Sequence, residues 1–316
     1  MKAAVIHDFA QPPRYDDFQT PQPDAGEVLV KVEAAAVSQL VRAQASGKHY
    51  SSGKTLPVVP GFDGVGQLED GSRVYFAFPT APFGALAQQS KVRREYTVPL
   101  PAELDSALAA ALANPGMSSW AALTRRAHLQ AGEHVLINGA TGTAGRLAVQ
   151  IARHLGAGRI VATGRNEAVL RDLGADEIIV LNQEEDALTE TFRQSVHRNP
   201  VQVVLDYLWG MSAHSLLSAF SGHADPEGEP RVRFVQIGSM SGAELSLNAS
   251  TLRSSGVELL GSGLGSVPNR ELVAAIGEML EAAATHGWTT PVDIRPLAEV
   301  ETAWNAEGSD RLVLVN

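Results

Sequence analysis

A short apolar run, His134 to Asn138, leads directly into Gly139-Ala140-Thr141-Gly142-Thr143-Ala144-Gly145 and then into a helical stretch from Arg146 to Leu155. Strand, glycine-rich turn and helix in this order suit a dinucleotide. Glycines allow a tight reversal, close backbone approach to a pyrophosphate and close helix-strand packing, while free N–H groups at the helix start face the phosphates. Glycine-rich turns are common, so the residues downstream must carry the rest of the pattern.

A second apolar run, Arg159 to Thr163, ends in Gly164-Arg165-Asn166, which puts Arg165 about two dozen residues past the turn, where such folds read the ribose. A carboxylate there would accept hydrogen bonds from the ribose hydroxyls of NAD, whereas a guanidinium pairs with the additional phosphate of NADP. No Asp or Glu occurs at 163 to 166, and Glu167 already falls in the next helix. NADP is therefore the expected cofactor.

The chain has 316 residues, enough for two ordinary domains, and its 44% hydrophobic and 19% charged content is that of a globular protein. With 35 acidic against 25 basic residues the formal charge is -10, which argues against nucleic acid or an anionic membrane as partner. No cysteine occurs, which removes disulfides, thiolate nucleophiles and cysteine-zinc sites. The nine histidines show no ligand spacing, so no metal site is expected. The start of the chain lacks the apolar core of a signal peptide and no stretch approaches a membrane span, so a cytoplasmic protein is expected.

Residues 1 to about 110 alternate short β-like runs with Pro and Gly punctuation, as in Val28 to Ala34, Gly61 to Gly66 and Ser72 to Phe78. From Asp105 an alanine-rich helix begins, and the Asn114-Pro115-Gly116 step reads as a break before a second helix from Met117 to Ala127. Then strands near 134–138, 159–163, 177–181, 201–206, 232–237 and 257–261 alternate with helices near 144–155, 166–173, 185–196 and 211–220. That alternation implies an α/β fold with a doubly wound parallel sheet of the Rossmann type. Near-continuous apolar strands such as Val201 to Leu205 fit a sheet covered on both faces. A helix from Asn269 to His286, the segments Val292 to Ile294 and Leu297 to Asn305, and a terminal strand from Arg311 to Val315 form a tail expected to rejoin the first domain. The strand at Val257 to Gly261 would lie at an open sheet edge, which predicts a homodimer through that edge.

The order of these parts resembles the medium-chain dehydrogenase/reductase superfamily, in particular its zinc-free quinone oxidoreductase-like members. The resemblance spans nearly the whole chain. It is carried by Leu56-Pro57-Val58-Val59-Pro60-Gly61-Phe62-Asp63-Gly64-Val65-Gly66, by Gly71-Ser72-Arg73-Val74, by Phe83-Gly84-Ala85-Leu86-Ala87-Gln88 and by the glycine turn. Leu173-Gly174-Ala175-Asp176, Val204-Leu205-Asp206 and Gly261-Ser262-Gly263 add to it. It implies a GroES-like catalytic domain over 1–115 and 265–316 and a Rossmann domain over 116–264. In zinc-holding members a cysteine, a Gly-His-Glu histidine and a second cysteine bind the metal. Here Ser38 falls near the first cysteine, and Phe62 replaces the histidine in Gly61-Phe62-Asp63. Without that Lewis acid, reduction of an already electrophilic acceptor is the expected chemistry.

The resemblance implies hydride transfer from NADPH to a quinone or conjugated carbonyl in a cleft between the domains. It puts Thr141, Gly142, Thr143, Ala144 and Gly145 at the pyrophosphate, Gly164 and Arg165 at the ribose phosphate, and Asn182 near the adenosine. Ile237, Gly238 and Ser239, with Gly261, Ser262 and Gly263, would present strand-end backbone near the nicotinamide. Ser38, Gln39, Arg42 and Trp209 would face substrate, and Tyr50 is the candidate donor to a developing oxyanion. The alternative is a non-catalytic NADPH-binding or redox-sensing protein on the same fold. The Gly-Lys that usually precedes the last strand reads Ser309-Asp310-Arg311, and a lysine often found after the second Rossmann strand has no counterpart, which leaves NADP selection to Arg165.

Overall fold

The computed structural model describes residues 1–48, 55–221, 228–306, 308 and 310–316. The chain divides into two compact units, Met1–Asn114 with Asn269–Asn316, and Pro115–Pro268.

The first unit opens with an antiparallel pair, β1 (Lys2–Val5) and β2 (Arg14–Asp17). It continues through β3 (Glu27–Ala36), α1 (Gln39–Ala45), β4 (Asp63–Gln67), β5 (Arg73–Ala77), β6 (Gln89–Arg93) and β7 (Thr97–Pro99). The ten-residue β3 is the spine of its sheet, pairing with both β4 and β6. Its alternation of buried and part-exposed residues from Glu27 to Glu33 is what a strand with one covered face requires.

α2 (Ser106–Ala121) starts where Asp105 Oδ1 accepts from the N–H groups of Ala107 and Leu108, at 2.9 and 3.0 Å. Here the structure departs from the sequence-based expectation: the helix runs through Asn114-Pro115-Gly116 without a break and ends in a wider π turn at Ala122–Arg126. The physical reason is burial. Ala109 to Ala113 and Trp120 to Leu123 are all buried, and side chains occupy carbonyls in this part of the helix: Ser118 Oγ donates to the Pro115 oxygen and Ser119 Oγ to that of Gly116.

The second unit alternates strand and helix: β8 (His134–Asn138), α3 (Thr143–His154), β9 (Arg159–Gly164), α4 (Glu167–Arg171), β10 (Glu177–Val180) and α5 (Glu185–Arg198). Then come β11 (Val203–Asp206), α6 (Gly210–Ala219), β12 (Val232–Gln236), α7 (Ala249–Arg253) and β13 (Val257–Gly261). All six strands are parallel, in the order β10-β9-β8-β11-β12-β13. The order reverses at β8, and the crevice beyond the strand C-termini at such a switch point is where nucleotides bind. Leu136, Val161, Val204 and Phe234, one from each central strand, pack with helix residues Leu188, Phe192, Leu216 and Leu217. The sheet is thus covered by side chains that the continuous apolar runs supply.

The tail adds α8 (Asn269–His286), β14 (Val292–Pro296), α9 (Val300–Ala303) and β15 (Arg311–Val315). β15 lies antiparallel to β3 and β14 parallel to β15, which completes the sheet of the first unit as β14-β15-β3-β4-β5-β7 with β6 beside β3. The chain thus has the expected fold class, a Rossmann sheet with a GroES-like β-rich unit. Among the described residues no helix is long and apolar enough to cross a membrane.

Candidate functional site

The glycine turn sits at the C-terminal end of β8. Gly139 adopts φ +97°, a conformation L side chains rarely take. A Cβ on Gly145 would lie 2.3 Å from the Gly139 oxygen and 2.6 Å from the Ala140 Cα, so only glycine lets the first turn of α3 press against the strand end. Gly142 is the N-cap of α3 and supplies no side-chain cap, which leaves the N–H groups of Thr143, Ala144 and Gly145 without the usual partner. Arg146 Nε pins the turn by donating to the Thr141 oxygen at 2.9 Å.

β9 delivers the second part of the site. Gly164 ends the strand so close to the turn that a Cβ there would meet Thr141 Cγ2 at 2.5 Å. Arg165 follows, exposed, and among the described residues its guanidinium has no hydrogen-bond or ion-pair partner. Its carbonyl accepts from Asn182 Nδ2 at 3.1 Å, so the residues expected at the ribose and the adenosine are neighbours. Bare helix N–H groups, a glycine that admits close approach and an unpaired cation at the next strand end fit a phosphorylated dinucleotide.

At β11, Asp206 is fully buried, and its backbone oxygen accepts from the N–H groups of Ile237 and Gly238 at 2.8 and 3.1 Å. Those contacts place two of the expected nicotinamide-side residues beside the β11 end. Ser239 is exposed. Ser262 N donates to the Gln236 oxygen at 2.9 Å, Gly261 O accepts from Arg126 Nε at 2.7 Å and Gly263 N donates to Ser266 Oγ at 2.8 Å. Burial pushes the Asp206 carboxyl above its ordinary value, opposed by donors from Leu208, Asn138 and Trp209. Burial also raises the Tyr207 hydroxyl to about 12, opposed by contacts with Ser118 and Ser119.

Three of the residues expected to face substrate, Trp209, Ser38 and Arg42, are engaged within their own unit. Trp209 takes φ +57° at the N-cap of α6, and its side chain packs partly buried against the core of the second unit. In the first unit, Ser38 Oγ caps α1 by accepting from Val41 N at 3.1 Å, and Gln39 is exposed. Arg42 donates to the Trp304 carbonyl and lies 5.2 Å from the centre of the Trp304 ring, while burial lowers its guanidinium pKa. Tyr50 lies outside the described residues.

Phe62 packs edge-on against Phe78 with ring centres 4.8 Å apart. The adjoining Asp63 is buried and accepts a 2.8 Å hydrogen bond from Tyr75 OH. Burial raises its carboxyl to about 6, opposed by Tyr75 and the charge of Arg311. Sequence reasoning left Asn138 and Thr163 without a role; the signal was present only as polar residues near the ends of otherwise apolar strands.

The class these features define is the nucleotide-dependent oxidoreductases with a Rossmann unit and a GroES-like unit. The zinc-binding dehydrogenase family matches residues 144–282. The whole chain is 30% identical, over 360 aligned residues that also cover all of the relative, to a probable NADPH-dependent quinone reductase of Emericella nidulans. It is 28% identical to the quinone oxidoreductase of Lama guanicoe over 310 residues, 92% of this chain and 88% of that one. Among solved structures, the quinone oxidoreductase of Thermus thermophilus, also solved with NADPH, superposes with a TM-score of 0.80 at 25% identity over the full length of both chains. The chain belongs to the quinone oxidoreductase-like branch of the medium-chain dehydrogenase/reductase superfamily and is an NADPH-dependent oxidoreductase.

Proposed function

We propose that the chain reduces quinones or α,β-unsaturated carbonyls with NADPH and without zinc, as a cytoplasmic homodimer. The observation that carries this reading is the pairing of an α3 N-terminus without a side-chain cap with an Arg165 guanidinium that has no partner among the described residues, at the adjoining strand end. The N–H groups of Thr143, Ala144 and Gly145 hold the pyrophosphate, and Arg165 pairs with the ribose phosphate. Backbone at Ile237 to Ser239 and at Gly261 to Gly263 orients the nicotinamide ring. When bound, the nucleotide supplies a hydride; the acceptor takes that hydride and one proton, so a quinone leaves as hydroquinone.

Ser38, Gln39, Arg42 and Trp209 are proposed to face the substrate, with Tyr50 or water giving the proton. The cysteine-free sequence offers no thiolate to hold zinc, which supports metal-independent reduction of an electrophilic acceptor. β13 is the last strand of the Rossmann sheet, and its outer edge, with Leu259 39% exposed, supports pairing with a second copy.

The test is NADPH oxidation by the purified protein across quinones, enones and aldehydes, with and without a chelator. Turnover with quinones or enones that is unaffected by the chelator is expected. Tight NADPH binding with no oxidation of it by any acceptor would replace this reading with a non-catalytic one. Sedimentation should give a dimer at micromolar concentration, and a monomer would overturn the edge-pairing proposal.

A further inference from the structure

The ends of β8, β9 and β11 meet in one buried polar cluster. Asn138, Thr163 and Asp206 are each completely buried, and Ser212, in the first turn of α6, is 5% exposed. Asn138 Nδ2 donates to Asp206 Oδ1 at 2.8 Å and to Ser212 Oγ at 3.0 Å. Its Oδ1 accepts from Thr163 Oγ1 at 2.8 Å. Thr163 Oγ1 in turn accepts from Gly139 N, the first N–H of the glycine turn, at 3.2 Å. Asp206 Oδ1 accepts further from the N–H groups of Leu208 and Trp209, at 3.1 and 3.2 Å.

One side chain therefore joins, through one intermediary on each side, the turn that faces the pyrophosphate and the β11–α6 turn. Thr163 is two residues before Arg165, and the Asp206 carbonyl carries Ile237 and Gly238. An amide is the group that satisfies this position, because it accepts on one side and donates twice on the other. An apolar side chain here would leave the Thr163 hydroxyl without its acceptor and take one donor each from Asp206 and Ser212, and burying polar groups in this way is costly for a cluster whose only purpose is packing.

We propose that Asn138 is a positioning residue for the nucleotide: its side-chain amide fixes the glycine turn relative to the β9 and β11 ends, so that the phosphate-facing N–H groups are aimed before the ligand arrives. The inference rests on the nucleotide reading above. Its signature differs from that of Arg165. The turn serves the pyrophosphate, which NADPH and NADH share, so disturbing Asn138 weakens both nucleotides alike, whereas Arg165 acts on the additional phosphate alone.

The experiment is fluorescence titration of the full chain with NADPH and with NADH, alongside thermal melting. Asn138→Asp retains the shape but turns a donor into an acceptor facing the Asp206 carboxylate; both dissociation constants should rise by about tenfold or more, by the same factor. Thr163→Val, which removes the link to Gly139 and keeps the β-branched shape, is the second probe should Asn138→Asp fail to fold; it should weaken both nucleotides about threefold or more.

A fall in melting temperature with unchanged affinity for both nucleotides would overturn the proposal and leave Asn138 a purely structural residue. Weakening of NADPH alone would also overturn it. Failure of the wild-type chain to bind either nucleotide would instead remove the cofactor reading, and this inference with it.

Discussion

Two buried carboxylates, one in each unit, show how differently the units treat an acidic group. Asp206 ends a parallel strand where the following turn aims its N–H groups back, so its oxygens receive Leu208, Trp209 and the Asn138 amide. Asp63 begins an antiparallel strand whose backbone is paired with β5, and among the described residues only Tyr75 OH reaches it. Among the described residues its buried Oδ1 has no partner, nor have Nε and Nη2 of Arg311, whose charge acts on it without a direct ion pair. Strand-end carboxylates at a nucleotide crevice can be satisfied by turns; a carboxylate inside a ladder depends on side chains. In the second unit the carboxylate ties the β8 end to the turn that follows β11. The first keeps its acidic residue beside Phe62, inside the ladder.

The largest expected effect lies on the side where donors are organised. Gly145→Ala forces a Cβ to 2.3 Å from the Gly139 oxygen, and should weaken NADPH by about 100-fold or more in equilibrium titration, with about 1–3 kcal/mol of lost stability. Wild-type affinity in that variant would mean that the close approach of α3 to the strand end does not matter.

The next effect belongs to Asp63. Its carboxyl titrates at about 6 in the folded chain against 3.8 as its ordinary value, so the folded state holds its proton more tightly. Its contribution is therefore fully favourable below pH 3.8, falls as pH rises through the window, and is lost above about 6. The loss amounts to about 3 kcal/mol. The stability difference between wild type and Asp63→Asn, read from urea midpoints at several pH values, should move by about that amount in favour of the asparagine as pH rises. A difference that stays flat with pH would show that Arg311 compensates the charge fully.

The smallest effect should come from Ser118→Ala, which removes a 3.3 Å contact with the Tyr207 hydroxyl beside the Asp206 cluster and should cost about 0.5–1 kcal/mol in denaturant unfolding. A cost of several kcal/mol would extend the organised cluster to α2.

The Rossmann strands were legible because their apolar runs have no competing period, and five of the six begin within one residue of their expected start. The glycine turn was legible as structure because a tight reversal depends on local backbone, and the strand end that carries Arg165 because it follows an apolar run. The continuous helix through Pro115 was not, since its stability comes from burial and from serine hydroxyls rather than from local propensity. Nor was the Asn138 cluster, whose partners are 25 to 74 residues away in sequence. Polar residues at the ends of apolar strands mark such sites without naming their partners.

The most direct measurement compares NADPH and NADH binding by the wild-type chain and by Arg165→Ala. Wild type should prefer NADPH, and the variant should lose about tenfold or more in NADPH affinity with little change for NADH. Equal losses for the two nucleotides, or no preference in the wild type, would contradict the assignment of Arg165 to the ribose phosphate.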